Sequence, residues 1–211
     1  MSHPLKKLIK SESLIESLAK KYSTPLYIYD KKQLIQNIVS IDNSLKNNFK
    51  KYQIFYTIKA NSNPAIIRSL KSSISNLGAD CSSPGELYAA KLGGITGNDC
   101  IYTGNYESNM DLEFALKSRA NINLDDINSF HRLAKIGIPD EISFRLNPGF
   151  GNGAFESITT GGHNSKFGIP KEKIALAYSL AKENGVKSFG LQCMTGSGVL
   201  DPDYFPKLMN E

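Results

Sequence analysis

The chain has 211 residues, 40% of them apolar, with 25 lysines and arginines against 20 acidic residues and a net charge of +5. That is enough for one domain with a sizeable core, and no run approaches the roughly 18 consecutive apolar residues of a membrane span. Basic pairs such as Lys6-Lys7 and Lys50-Lys51 are scattered and not interleaved with aromatics, which argues against a nucleic-acid face.

Ser13-Leu14-Ile15-Glu16 reads as a capping box opening a short first helix, with Leu14, Leu18 and Tyr22 on one face. No apolar core follows the N-terminus, so it is not a signal peptide, and a cytoplasmic location is expected. Pro25 leads into an extended segment, Leu26-Tyr27-Ile28-Tyr29. Leu34, Ile38, Ile41 and Leu45 then form the stripe of an amphipathic helix. From there the pattern alternates. Strand-like runs lie at 53–59, 77–82, 100–104, 120–125, 141–147 and 187–194. Helical runs lie between them at 64–72, 84–92, 108–118, 126–136 and 171–184. Pro64, Pro84 and Pro170 fall where a first helical turn tolerates proline, and Gly185 can close the last helix.

Strict βα alternation predicts an α/β fold with a parallel sheet and helices outside. A closed (β/α)8 barrel has eight strands and typically ~250 residues. About six strands are visible, so the pattern predicts a partial barrel, the N-terminal portion of a longer protein. Residues 1–30 form a leading helix and extended segment, and residues 31–211 the incomplete barrel. Two sheet edges and an apolar interior would then be uncovered. An open doubly wound sheet is the alternative.

The stretch 148–169 holds six glycines, and loops of that length are uncommon unless functional or disordered. Gly149-Phe150-Gly151-Asn152-Gly153 lacks the third glycine of a dinucleotide fingerprint, since Ala154 follows, and no nicotinamide site is expected. Cys81, Cys100 and Cys193 are too widely spaced for a disulfide framework or a metal pattern, and buried free thiols are expected. His3, His131 and His163 have no ligand spacing either, so no metal site is predicted.

Lys59 ends the first strand-like run, ahead of Asn61, Asn63 and Pro64, which signal a helix start. A lysine at the C-terminal lip of a barrel strand stands where such folds keep their chemistry. Burial would free its amine to form a Schiff base with an aldehyde cofactor; a snorkelling surface lysine is the alternative. Asp80 ends the second strand on the same lip, as a functional carboxylate or a turn residue. Ser83-Pro84-Gly85-Glu86 fits a capping box, which gives Glu86 a structural role. Arg145 and Asn147 are polar in an apolar run. Arg145 can meet a cofactor or a neighbouring carboxylate, or fix the glycine loop through a salt bridge. Ser197 lies in Met194-Thr195-Gly196-Ser197-Gly198, whose small residues suit a phosphate nest or a plain turn.

Tyr56-Thr57-Ile58-Lys59-Ala60-Asn61 resembles the cofactor-lysine motif of the fold-type III pyridoxal-phosphate decarboxylases. Gly78-Ala79-Asp80-Cys81-Ser82-Ser83-Pro84-Gly85-Glu86-Leu87 resembles their second motif and Ser165-Lys166-Phe167-Gly168 their third. Thr24-Pro25-Leu26-Tyr27-Ile28-Tyr29-Asp30 is similar to the segment that enters their barrel. Lys59-Ala60-Asn61-Ser62 and Arg145-Leu146-Asn147-Pro148-Gly149 look most like the diaminopimelate decarboxylase branch.

The resemblance implies a (β/α)8 barrel of the alanine-racemase-like type and pyridoxal 5'-phosphate as cofactor. It places Lys59 as the cofactor's covalent carrier, with Asp80, Arg145, Met194 and Ser197 around it and Ser197 on its phosphate. It implies decarboxylation of meso-diaminopimelate to L-lysine by a full-length homodimer. A C-terminal β-domain and the acid that pairs with the pyridine nitrogen would lie outside this chain, which alone is expected not to turn over. The alternatives are a decarboxylase of ornithine or arginine, a non-catalytic pyridoxal-phosphate barrel, and a pseudoenzyme that binds a partner. Many relatives carry histidine at positions 192 and 194. Here Gln192 and Met194 stand instead, and Met194 can pack through its sulfur but cannot donate a proton.

Overall fold

A computed structural model describes residues 12–149, 162, 165–194, 196 and 198–210. Helix α1 (Glu12–Tyr22) buries none of its residues. Ser13 is already helical, so it is not the N-cap that its spacing suggested. Helix α2 (Lys31–Asn48) is capped by Asp30, whose carboxylate accepts the Gln33 N–H at 3.0 Å. Of its apolar stripe, Ile38 is buried and Ile41 is half exposed, which puts this helix at the rim.

The alternating units follow. Strand β1 (Ile54–Thr57) leads to α3 (Pro64–Lys71), β2 (Leu77–Cys81) to α4 (Pro84–Leu92), and β3 (Cys100–Gly104) to α5 (Asn109–Lys117). Strand β4 (Asn121–Leu124) leads to α6 (Ile127–Ile136), and β5 (Glu141–Asn147) follows. A two-residue β6 (Ile169–Pro170) precedes α7 (Lys171–Glu183), then come β7 (Ser188–Cys193) and α8 (Tyr204–Asn210). Every pairing is parallel, with β1 to β5 in sequence order and β7 on β5. β6 pairs with Leu146 and Asn147 only, a seventh strand absent from the expectation. Pro170 is the N-cap of α7 rather than a residue of its first turn.

Helix starts are set by side chains that satisfy orphan N–H groups. Asn63 accepts from Ala65 at 2.9 Å ahead of α3. Ser83 accepts from Glu86 at 3.2 Å ahead of α4, with proline at the first helical position of both helices. Glu86 reaches one residue further back than a capping box requires, accepting the Ser82 N–H at 2.8 Å.

The sheet has two chemically distinct faces. Leu77, Ala79, Cys81, Cys100, Tyr102, Ile122, Leu124, Ile142 and Phe144 are each 2% exposed or less. They point outward into the helix layer and form the core, each large side chain there contributing about 1.5–3 kcal/mol. Phe144 stands edge-on to Phe130 at 6.0 Å and to Tyr178 at 5.2 Å. The alternate residues face the other way and are mostly polar: Thr57, Asp80, Thr103, Asn123, Ser143, Arg145 and Gln192. The interior expected to be apolar is thus mixed, with Phe55, Ile101 and Met194 beside the polar residues on its cavity wall. On the outer face of β7, by contrast, Phe189 and Leu191 are exposed. Cys81 and Cys100 are buried free thiols and Cys193 is half buried. A hydrogen bond with Cys100, added to burial, holds the Cys81 thiol far above its ordinary range.

Candidate active site

The polar face opens into a cavity of about 210 Å³ at the C-terminal ends of the strands. Lys59, Asp80, Arg145 and Met194, four of the five residues singled out, line it together. Ser197, the fifth, lies outside the described residues. Clefts of about 540 and 790 Å³ sit toward the opposite strand ends, against Cys100 and against Asn121, Glu141 and Ser188. Barrel chemistry belongs to the C-terminal face, so the smaller cavity is the candidate.

Strand β1 stops at Thr57, and Lys59 sits in a 3-10 turn, Ile58–Ala60. Two asparagines brace that turn. The Tyr56 hydroxyl donates to the Asn61 carbonyl at 3.1 Å, and Asn61 Nδ2 donates to the Tyr29 hydroxyl at 3.0 Å. Asn61 Oδ1 accepts the Asn63 N–H at 3.0 Å, and Asn63 caps α3. Lys59 itself is exposed. Burial, invoked above as the source of a neutral amine, is not supplied by the described residues.

Asp80 is held from both sides. Its Oδ2 accepts from Thr57 Oγ1 at 3.3 Å and its Oδ1 from Thr103 Oγ1 at 3.2 Å. The register explains the clamp, since Thr57 pairs with Asp80 directly and Thr103 lies two residues on from its other partner, Ile101.

Arg145 is 4% exposed. Its Nη1 lies 3.4 Å from Asp125 Oδ1, and its guanidinium carbon lies 4.8 Å from the Phe167 ring centre. It thus both faces the cavity and pairs with a neighbouring carboxylate, which lies after β4 and not in the glycine loop. Among the described residues, the Asn147 side chain bonds only to the loop. Its Oδ1 accepts from Gly149 and Gly162, each at 3.0 Å, and its Nδ2 donates to the Gly162 carbonyl at 3.0 Å.

Thr57, Ser82, Thr103, Asn105 and Asp125 were not singled out from the sequence, yet each lines the cavity or holds a residue that does. Their signal is the period-two recurrence of polar residues along the strand runs. Gln192 Oε1 is buried and has no hydrogen-bond partner among the described residues. The site thus combines a primary amine, a clamped carboxylate, a guanidinium and an unsatisfied amide oxygen.

The family profile described as "Pyridoxal-dependent decarboxylase, pyridoxal binding domain" matches residues 35–211. The chain belongs to this family. The diaminopimelate decarboxylase of Thermoplasma acidophilum is 38% identical over 187 residues, 89% of this chain and 45% of the relative. That of Methanothermobacter thermautotrophicus is 38% identical over 190 residues, 89% of this chain and 44% of the relative. The chain spans just under half the length of these curated relatives. A crystal structure of Helicobacter pylori diaminopimelate decarboxylase complexed with L-lysine superposes with a TM-score of 0.81 at 28% identity, covering 89% of this chain and 48% of that one.

For a pyridoxal binding domain the parallel sheet is the expected partial (β/α)8 barrel, and pyridoxal phosphate is its cofactor. The donor set fits that group. An aldehyde needs an amine, a cationic nitrogen needs a carboxylate, and a polar ring substituent can satisfy the buried Gln192 oxygen. No helix among the described residues is long and apolar enough to cross a membrane.

Proposed function

We propose that this chain is the cofactor-binding part of a decarboxylase that converts meso-diaminopimelate to L-lysine and carbon dioxide. The observation that carries the reading is the meeting of Lys59, Asp80 and Arg145 on one cavity at the strand ends. The substrate rests on the two diaminopimelate decarboxylases, each 38% identical to this chain.

In this reading Lys59 would hold the cofactor through its side-chain amine. Asp80 is the counter-charge that keeps a nitrogen beside Lys59 protonated, and the threonine clamp aims it. Arg145, with its charge shared with Asp125, presents a fixed cation to the cavity wall. Met194 would pack against the ring through its sulfur, and Ser197 would bind the phosphate. When bound, the pyridine ring supplies the electron sink for the electrons left as carbon dioxide departs. The same reading divides the chain at residue 30, ahead of α2, and makes the complete protein a cytoplasmic homodimer.

Borohydride reduction of the loaded full-length protein, followed by peptide mapping, tests the cofactor assignment. The pyridoxyl group is expected on Lys59, and an adduct confined to another lysine refutes it. Parallel kcat/KM measurements on diaminopimelate, ornithine and arginine test the substrate. Diaminopimelate carries an amine and a carboxylate at its distal end, and a pocket must pair both or leave one desolvated. A preference for ornithine or arginine refutes the substrate and leaves the cofactor assignment standing.

A further inference from the structure

Asp125 follows β4, carries no role in the reading above, and is 9% exposed. Three strand-end segments meet at its carboxylate. From β5, Arg145 Nη1 lies 3.4 Å from Oδ1. From the segment after β3, the Asn105 amide, turned to its hydrogen-bonding orientation, donates to Oδ1 at 3.2 Å and to Oδ2 at 3.3 Å. From the segment before β6, the Gly168 backbone N–H faces the carboxylate and favours its charged form. The Phe167 ring beside Gly168 lies 4.8 Å from the Arg145 guanidinium. Arg145 and Asn105 both line the cavity, whereas Asp125 does not.

We propose that Asp125 is a positioning residue for the cofactor cavity. It fixes Arg145 and Asn105 on the cavity wall and ties the Phe167-Gly168 segment to them. The inference rests on the reading of this cavity as the pyridoxal-phosphate site.

The energetics favour positioning over plain stability. A buried ion pair returns little net stability, because desolvation of both charges offsets their attraction, and apolar residues of the same volume often do as well. What such a pair does supply is a single geometry. A buried arginine without a partner would turn toward any carboxylate or ligand oxygen within reach. Here the Asp125 carboxylate on one side and the Phe167 ring on another restrict where the guanidinium can point. The Asn105 amide, bound through the same two oxygens, is fixed with it.

A double-mutant cycle on the intact protein tests this, read as the pyridoxal phosphate dissociation constant from absorbance titration and as the urea midpoint. Asp125→Asn keeps the volume and removes the charge. It is expected to weaken cofactor binding about tenfold while Arg145 is present, and less than about threefold in an Arg145→Met background. A merely structural Asp125 would lower the midpoint and leave the two losses equal. Asn105→Ala removes a donor without unpairing a charge, and it serves where Asp125→Asn does not fold. It is expected to weaken binding about threefold at an unchanged midpoint. Equal losses in both backgrounds, or wild-type affinity in Asp125→Asn and Asn105→Ala, overturn the positioning role. Wild-type protein that binds no pyridoxal phosphate overturns the cofactor reading, and this inference with it.

Discussion

Gly168→Ala is the most informative single change, because its cost can be worked from two separate causes. Gly168 has φ +81°, in the left-handed region. An alanine there costs about 1–2 kcal/mol from that alone. An added Cβ would also lie 2.9 Å from the Asn147 nitrogen, 3.1 Å from the Arg145 carbonyl oxygen and 3.2 Å from the Leu146 carbonyl carbon. All three are backbone atoms of β5, so no flexible side chain can yield. Overpacking of this kind adds about 1–3 kcal/mol, for a total of about 2–5 kcal/mol. Gly94 is the matched control, with φ +90° and nothing within 4 Å of an added Cβ. Gly94→Ala should cost only the conformational part, about 1–2 kcal/mol. Urea unfolding of the three proteins at unchanged m-value measures both. The clash falls on the strand that carries Arg145, so Gly168→Ala should also weaken cofactor binding, and Gly94→Ala should not. Equal costs for the two alanines would refute the claim that β5 presses on Gly168.

Phe144 is fully buried and edge-on to two rings, so Phe144→Ala should cost about 3–5 kcal/mol by urea unfolding; a loss under about 1.5 kcal/mol would contradict the packing. Thr57→Val and Thr103→Val each remove one hydrogen bond to Asp80. Each should weaken pyridoxal phosphate binding by about 1 kcal/mol, roughly fivefold, with unchanged affinity in the double variant as the refuting result. Burial pushes the Asp125 carboxyl up, with Arg145 and the Gly168 N–H opposing and Asp126 and Glu107 adding. A raised carboxyl binds its proton more tightly folded than unfolded, so its stabilisation is present below the ordinary range and lost as pH rises through the raised value. Wild type should therefore gain stability relative to Asp125→Asn as pH falls from neutral, and a flat or falling difference would refute it. Asn123 Nδ2 is buried without a partner among the described residues, while its Oδ1 accepts from Ser143 at 2.8 Å. Replacing both, as Asn123→Leu with Ser143→Ala, should be neutral or stabilising by up to about 1 kcal/mol, whereas Asn123→Leu alone strands the Ser143 hydroxyl and should cost about as much.

Much of this was legible because it is local. The Asn61-Ser62-Asn63-Pro64 run marks the turn that carries Lys59, since asparagine side chains satisfy nearby N–H groups and proline opens the helix. The six full strands fall on the strand-like runs between the helical ones, as βα alternation predicts. What was not legible is long-range or too short to carry a pattern. β6 has two residues, one of them a proline with no N–H to donate. Ser13 fits a capping box by spacing, but the helix is already formed there. Asp125 reads as an ordinary residue at a strand end, because its partners Asn105, Arg145 and Gly168 come from three other segments. Lys59 reads as a strand-end lysine, yet the chain turns before it and leaves it exposed.

The alternation that builds the fold also builds the site. Strands of a parallel sheet covered on both faces usually read as continuous apolar runs. Here Asn121-Ile122-Asn123-Leu124-Asp125 and Ile142-Ser143-Phe144-Arg145-Leu146-Asn147 alternate strictly. Ile122, Leu124, Ile142 and Phe144 go to the helix layer, all at most 1% exposed, while Asn123, Ser143 and Arg145 face the interior. A slip of one residue in β5 would drive Arg145 into the helix layer and Phe144 into the cavity. The outer core therefore sets the register with several large side chains, and the register aims the polar ones. Stability alone does not call for the inner set, because Asn123 and Gln192 each leave a buried atom unpaired among the described residues and such atoms cost about 1–3 kcal/mol. Polar residues kept at that cost, on the one face that opens at the strand ends, are what a bound polar cofactor requires of this sheet.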